Sequence, residues 1–469
     1  MVPRDPIQPA HPSERDSVAR HLRAHYPELW PPVPVYGAYD RSRMLRCAES
    51  IDSVLHKVGC FPDHAEAFER TVGYAERAFD LYEGRREPSY PADRVFLAPS
   101  RMADDDPLYG DEFGETLPLL TSLHGLDSGT VRHFLSLLPP SVLCSYQVHD
   151  GRQGHIVLAP LNSGLTADLG ADRAAETARR VVQDAAVFAR DRLGARVAGL
   201  GATLPSLTRF GRTVDVPGLV TTTGHGGTVH LIRILARDVA ATLLDGSGPL
   251  TVGVLGAAGS IGASILAALQ QEFPDTPFVA CDRPGRLGRV RRVAERQGNP
   301  ARTLVTADPA DLFSRCRLIV SAITEKLDLS RAAAGADLTG TVLIDDSQPG
   351  CVARDQWEAR GGLLLWPVGS AEAGGPLHRE NDLLFGAASG VVHPYDVWGC
   401  EAEAAAVALT GEHDAALRAP VTPDDALRVG ELCARIGVTA AQPQSYGRPA
   451  VPAPVADRKN CGDHGGRAG

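Results

Sequence analysis

The chain of 469 residues is short of lysine: only Lys57, Lys326 and Lys459 occur among 47 cationic residues. Schiff-base or general-base lysine chemistry therefore has almost no candidates. Nine cysteines occur, odd in number and scattered, and none forms a C-x-x-C pair. That excludes a disulfide framework and a structural zinc site as leading readings. No H-E-x-x-H or related spacing occurs either, so no metal is expected. No apolar run approaches the roughly 20 residues of a transmembrane helix, so stable membrane insertion is not expected. The opening, MVPRDPIQPAHPSERD, lacks the apolar stretch of a signal peptide, and a cytoplasmic location is the expectation. There is no long basic run, and the net charge is −10, so no nucleic-acid partner is expected.

What is present is ordinary globular composition, 43% hydrophobic and 22% charged. The length suits two or three domains. Residues 1–118 begin Pro-rich, then show helical apolar spacing over 41–59 and 65–82. A loop rich in Pro, Asp and Gly follows, from Glu87 to Gly114. This region reads as a mostly helical N-terminal extension without a chemical motif. Residues 119–245 read as α/β, a substrate domain: SVLCSYQV and HIVLAPL as strands, Ala171 to Leu193 as a long helix, and a Gly-rich turn at Gly224 opening another. Over residues 246–390, strand and helix patterns alternate, which means βαβ units and a parallel sheet. Helices over 391–440 are expected to pack back on the substrate domain. The Pro- and Gly-rich tail, 441–469, is expected to be disordered. The fold class is α/β: a Rossmann-type doubly wound parallel sheet, an α/β substrate domain and a helical N-terminal extension.

The stretch VGVLGAAGSIGASI places Gly256, Gly259 and Gly262 between an apolar strand and a helix. Glycines permit a tight turn and close approach to a pyrophosphate, and the helix N-terminus supplies N–H groups and positive dipole. Ala257, Ala258, Ser260 and Ile261 complete the expected cofactor cradle. The next strand ends at Asp282, twenty residues after Gly262. An acid there suits the ribose hydroxyls of NADH. Arg283, Arg286 and Arg289 follow at once and could hold the 2′-phosphate of NADPH, or simply form a solvated helix face. Cys400 stands where a helix is expected to begin, in VWGCEAEAAAVAL. A helix N-terminus favours a thiolate, Glu401 and Glu403 oppose it, and a small buried hydrophobe is the plain alternative. Cys351, in a loop after a strand end, is its main rival as a reactive thiol.

Residues 119–440 resemble the long-chain acyl-ACP reductases, which form fatty aldehydes. The matching segments are LLTSLHGL (119–126), GLGA (199–202), TTTG (221–224), VGVLGAAGSIG (252–262), LIVSA (318–322), VLIDDSQP (342–349) and WGCEAEAAAVALTG (398–411). The resemblance implies that Cys400, in the Cys-x-Ala-Glu pattern, forms an acyl-enzyme thioester. It implies an acyl carrier protein or CoA thioester as partner, NADPH as cofactor, and Ser321 and Ala322 beside that cofactor. Two departures are visible: the family's TTGN-T-H-T becomes TTGHGGT, and Asp282 replaces a basic residue. The 118 N-terminal residues have no counterpart.

The chemistry is coherent with these residues. A thiolate exchanges one thioester for another at little cost, and the acyl-enzyme then accepts hydride to release an aldehyde. His393 and His225 are candidates to activate Cys400, and Glu403 to orient the thiol or protonate the leaving group. An acidic carrier needs a basic docking patch, for which Arg132, Arg209 and Arg212 are candidates. Two other readings stay open. One is a shikimate-dehydrogenase-like NAD(P) oxidoreductase acting on a ketone or alcohol, against which stands the absence of lysine from 119–230. The other is a non-catalytic nucleotide-binding protein.

Overall fold

The computed structural model describes residues 12–31, 33–58, 64–89, 91–100, 119, 128–147, 153–162, 165–244, 249–297, 299–323, 325–347, 350–370, 378–379, 396–418, 421–445 and 448–450. His393, Cys60 and Cys461 lie outside the described residues.

The first sheet contains β1 (Arg94–Ser100), β2 (Ser141–Gln147), β3 (Gln153–Asn162), β4 (Val197–Leu200) and β5 (Val220–Thr222). β1 lies at its centre, parallel to β3 on one side and to β4 on the other, and β4 pairs with β5 in parallel. β2 adds antiparallel to β3, and the short strand His378–Arg379 closes that edge. Side chains alternate between two cores, as a strand's period of two requires. Phe96 and Ala98 face the core shared with helices α1 (Pro12–His25), α2 (Arg41–Val58), α3 (His64–Tyr82) and α4 (Ser128–Ser136). Val95 and Leu97 face helix α5 (Ala171–Leu193), which lays Ala178, Val181, Val182, Ala185 and Ala189 against the sheet.

The expected boundary at 118 is therefore corrected. The loop read over Glu87 to Gly114 contains the central strand of the α/β sheet, so the helical N-terminal segment belongs to that domain. Every residue of β1 is buried. A strand covered on both faces shows no apolar–polar alternation, and this one is short and ends in a Pro–Ser bulge.

The second sheet is all parallel and contains β6 (Val252–Leu255), β7 (Phe278–Cys281), β8 (Thr303–Thr306), β9 (Leu318–Ser321), β10 (Val342–Asp345) and β11 (Leu363–Leu365). Its order, β11-β10-β9-β6-β7-β8, reverses direction between β6 and β9. That is the doubly wound arrangement, in which ligands bind outside the strand C-termini at the switch point. Helix α6 (His225–Thr242) joins the two units. Its Leu231 and Ile234 enter the first core, while Val229, Ile232, Leu235 and Val239 enter the second with helix α7 (Ser260–Glu272). A helix apolar on both sides belongs between two layers. Helix α8 (Leu287–Gln297) packs beside α7, and α9 (Pro309–Arg315) covers the opposite face.

The chain then returns to the first unit. The strand Val368–Ser370 pairs antiparallel with Asp396–Trp398 and with Thr439–Ala440. Helix α10 (Gly399–Thr410) packs on β1, β4 and α6, and α11 (Pro423–Arg435) packs on α6 and α10. Alanines make this close approach possible: a Cβ placed on Gly199 of β4 would stand 2.7 Å from Ala404 Cβ. The tail is also corrected in part. Gln444–Ser445 pairs with Arg448–Pro449, and buried Gln444 donates Nε2–H to Asp396 Oδ2 at 2.7 Å. Tertiary partners order 441–445 and 448–450 despite their composition; 451–469 lie outside the described residues. Among the described residues no helix is long and apolar enough to cross a membrane.

Candidate active site

The glycine turn is built as a dinucleotide cradle requires. Gly256 has φ +82°, which favours glycine, and a Cβ there would meet Ala322 O at 2.7 Å. A Cβ on Gly262 would lie 2.1 Å from Gly256 O. Gly256 and Ala257 N–H both donate to Cys281 O, pinning the turn to β7. Gly259 is the N-cap of α7, whose first-turn N–H groups have no intrahelical acceptor and suit a pyrophosphate. The expected residues divide by role. Gly259, Ser260 and Ile261 are partly open, whereas the Ala257 and Ala258 side chains are fully buried and serve as frame. Ser321 is also fully buried, its hydroxyl 3.0 Å from Ser347 Oγ, so it supports the wall that Ala322 presents to the turn.

Asp282 is buried, and its carboxylate accepts from Ala258 N–H at 2.7 Å and from Arg283 N–H at 2.8 Å. It locks the turn against the end of β7. Arg283 and Arg286 are exposed, and Arg283 reaches Glu325 at 3.3 Å. Gly262→Ala is expected to abolish NAD(P)H binding in a protein that still folds, because backbone cannot retreat from a 2.1 Å contact. Fluorescence titration with NADH and NADPH, beside a circular dichroism spectrum, checks this.

Cys400 lies in the first turn of α10, after N-cap Trp398. It is half-buried, whereas the other described cysteines, Cys47, Cys144, Cys281, Cys316, Cys351 and Cys433, are all buried. Burial pushes the thiols of Cys47, Cys281 and Cys316 up to about 12. The rival Cys351 is buried among Asp345, Ser321 and Ser347, and burial holds its thiol well above the usual range. Cys400 is thus the accessible thiol among the described residues.

The N-termini of α6 and α10 meet at this cysteine. A Cβ on Gly224, the N-cap of α6, would stand 2.2 Å from Cys400 Cβ, and one on Gly227 would stand 2.0 Å from Gly399 O. The glycines of TTTGHGG and WGC thus allow backbone to touch backbone. Cys400 lies in the first turn of α10, whose N-terminus carries partial positive charge, a setting that favours an anion there.

Glu403 serves the junction of the two helices. It is fully buried, and its carboxylate accepts from Gly224 N–H at 3.2 Å, Gly227 N–H at 2.9 Å and the Thr222 hydroxyl. It caps α6 from α10 and fixes the junction that holds Cys400. Burial raises its pKa, opposed by these hydrogen bonds. With its oxygens so engaged, Glu403 anchors the starts of the two helices to one another.

His225 begins α6 and is buried, with Nδ1 3.3 Å from Ser260 Oγ and its ring edge-on to Phe210 at 5.8 Å. It therefore ties the Cys400 junction to the glycine turn. Burial lowers its pKa to about 4, so the ring is neutral at pH 7; of the two roles expected towards Cys400, base or cation, the second is removed. Phe210 and Gly224 join the expected site residues; the glycine-dense pairing of TTTGHGG with WGC is the signal for Gly224, and no local signal marks Phe210. Phe210 and its neighbour Arg209 have φ of +59° and +51°, outside the usual range for their type.

His133 and His230 are buried too, and burial lowers both to about 4. Unfolded imidazoles take up protons as pH falls through about 6.5, but the folded ones do so only near 4. Stability carried by each is complete above pH 6.5 and is lost as pH falls towards 4, on the order of 2 kcal/mol per site at pH 5. Urea midpoints at pH 7 and pH 5 check this: the drop should be smaller in His133→Phe than in the unaltered protein.

No family model matches the chain. Solved structures similar to it include a dipicolinate synthase component from Bacillus halodurans, at 15% identity over 40% of this chain and TM-score 0.26. Ornithine transcarbamoylase from Giardia lamblia matches at 8% identity over 63% of this chain and 88% of its own, TM-score 0.28. L-Tryptophan dehydrogenase from Nostoc punctiforme matches at 11% identity over 74% and 88%, TM-score 0.27. The aligned part spans 62% of the dipicolinate synthase component. Likenesses this slight bear on neither activity nor substrate.

Proposed function

We propose that the protein is an NAD(P)H-dependent oxidoreductase that reduces an acyl thioester, carried by acyl carrier protein or CoA, to an aldehyde through an acyl-enzyme on Cys400. One observation carries the reading. The accessible thiol abuts Gly224, and the next residue, His225, touches Ser260 of the glycine turn. A nucleophile and a nucleotide cradle are thereby linked through two consecutive residues of one chain segment.

The residues that would hold the dinucleotide are Gly256, Gly259, Ser260, Ile261 and Gly262 at the pyrophosphate, with Asp282, Arg283 and Arg286 at the ribose end. When bound, the reduced nicotinamide supplies the hydride. The protein's own groups do the rest. Cys400 attacks the thioester carbonyl, its sulfur–carbon bond forms, and the carrier thiol leaves with a proton. The N–H groups in the first turn of α10 suit the negative charge that develops as the carbonyl is attacked. Neutral His225 donates or accepts one hydrogen bond between Ser260 and the junction. Phe210, against its ring, helps to keep water away.

The reading is checked by incubating the protein with NADPH or NADH and an acyl-ACP or acyl-CoA and assaying both cofactor oxidation and aldehyde. Aldehyde in step with cofactor oxidation is the expected result. Oxidation of secondary alcohols with NAD(P), and no aldehyde from any thioester, would replace it with the direct-hydride reading. Tight cofactor binding with neither activity would leave a nucleotide-binding protein.

A further inference from the structure

Beyond the glycine turn and the end of β7, the nucleotide unit carries a second concentration of cations. Helix α8 places Arg289, Arg292 and Arg296 on one face, because residues three and four apart are neighbours on a helix. All three are exposed, and none forms an ion pair or a side-chain hydrogen bond among the described residues. Glu295 is the single acid of the helix, and it bonds to none of them. Other exposed arginines do find acids: Arg302 pairs with Asp275 and Arg428 with Asp414. Like charges at these spacings destabilise a helix. In a chain of net charge −10, a row of unpaired guanidiniums suits an anion.

The same three side chains line an open cleft of about 360 Å³. Its other walls include Ser260 and Ser264 of α7 and Thr422, the N-cap of α11. The Ser264 hydroxyl donates to the Val421 carbonyl, which holds α7 against the start of α11. The space is thus framed by three helices, and its volume falls within the roughly 300–1,000 Å³ of small-ligand sites. The cofactor does not account for it. A pyrophosphate has the first turn of α7, and a 2′-phosphate has Arg283 and Arg286 after β7. Arg292 and Arg296 stand about 9 and 15 Å beyond Arg286 along the helix. A single guanidinium can hold one phosphate through two parallel hydrogen bonds. Three guanidiniums spread over about 10 Å therefore fit several linked phosphates better than one.

We propose that this cleft is a second anion site, which takes a linear oligophosphate of about three phosphates, free or carried by a nucleoside. It is separate from the dinucleotide cradle and does not depend on the reaction assigned to Cys400. An occupant touches α7, α8 and the cap of α11 at once. Helix α7 opens at the pyrophosphate turn, and α11 packs on α6 and α10. A bound oligophosphate thereby ties the nucleotide unit to the helices that seat Cys400. Attraction between exposed charges weakens with salt.

The test is calorimetric titration of the full chain with sodium tripolyphosphate, ATP and inorganic phosphate, with and without saturating NADPH. Tripolyphosphate and ATP should each bind at one per chain, roughly tenfold or more tighter than inorganic phosphate, less tightly at high salt, and alike in both cofactor states. ATP binding no tighter than tripolyphosphate identifies the phosphates alone as what is recognised; tighter ATP binding adds a contact to the nucleoside. Arg292→Gln with Arg296→Gln should weaken both ligands by roughly tenfold or more and leave NADPH affinity unchanged. Both side chains are exposed, so the variant should keep its fold, which a circular dichroism spectrum checks. No binding of either oligophosphate, its displacement by NADPH, or unchanged binding in the variant overturns the proposal. Failure to reduce any thioester overturns the function proposed above and not this site.

Discussion

Cys400→Ala is expected to lower aldehyde formation by roughly 10³-fold or more while leaving NAD(P)H binding intact. Removing a covalent nucleophile costs losses of this order, because the remaining groups can only bind and polarise the substrate. The substitution removes one sulfur from a half-buried position and introduces no atom into the Gly224 contact. The fold should therefore survive, and the loss should sit in kcat. Cys400→Ser should also fail, because an oxygen ester accepts hydride poorly. Cys351→Ala provides the contrast. That thiol is buried and held protonated, so its loss should change stability rather than turnover. Steady-state kinetics of the three variants, each with a thermal melt, checks the pattern. Full turnover in Cys400→Ala contradicts the covalent scheme.

Glu403→Ala is expected to destabilise the protein by on the order of 3–5 kcal/mol. The carboxylate is fully buried and serves Gly224 N–H, Gly227 N–H and the Thr222 hydroxyl at the α6–α10 junction. Its removal leaves those donors without an acceptor in the interior, and it opens a cavity between two helix ends that otherwise touch backbone to backbone. Activity should fall with stability, because the same junction seats Cys400. Glu403→Gln keeps the volume but offers one acceptor oxygen in place of two, so it should lie between. Urea midpoints order the three proteins. A stable Glu403→Ala that loses only kcat would instead make the carboxylate a proton-transfer group.

The second unit was legible in the sequence because its signals are local. Each strand is a short apolar run, each helix follows at once, and the glycines of VGVLGAAGSIG stand at the βα turn they shape. The position of Cys400 at a helix start was legible for the same reason. What escaped was everything set by distant partners. β1 pairs with residues about sixty and a hundred positions away and is buried on both faces, so RVFLAPS looked like part of a loop. In the sequence Glu403 is a candidate to orient the thiol or protonate the leaving group; only the fold shows that it also caps another helix, bonding to residues 176 to 181 positions earlier in the chain. His225 is a candidate base or cation in the sequence; the packing of Phe210 and α7 around it, which leaves the ring neutral, removes only the cation. The composition of 441–450 suggested disorder until Gln444 was seen against Asp396.

The central claim, that one thiol beside the glycine turn carries the acyl group, is tested most directly without any cofactor. The protein is mixed with an acyl thioester in the absence of NAD(P)H, quenched in acid, and weighed intact and after digestion. The account predicts a mass increase of one acyl group, placed on the peptide containing Cys400, absent from Cys400→Ala and discharged as aldehyde when NAD(P)H is added. Turnover without an adduct, or an adduct confined to another residue, would contradict it.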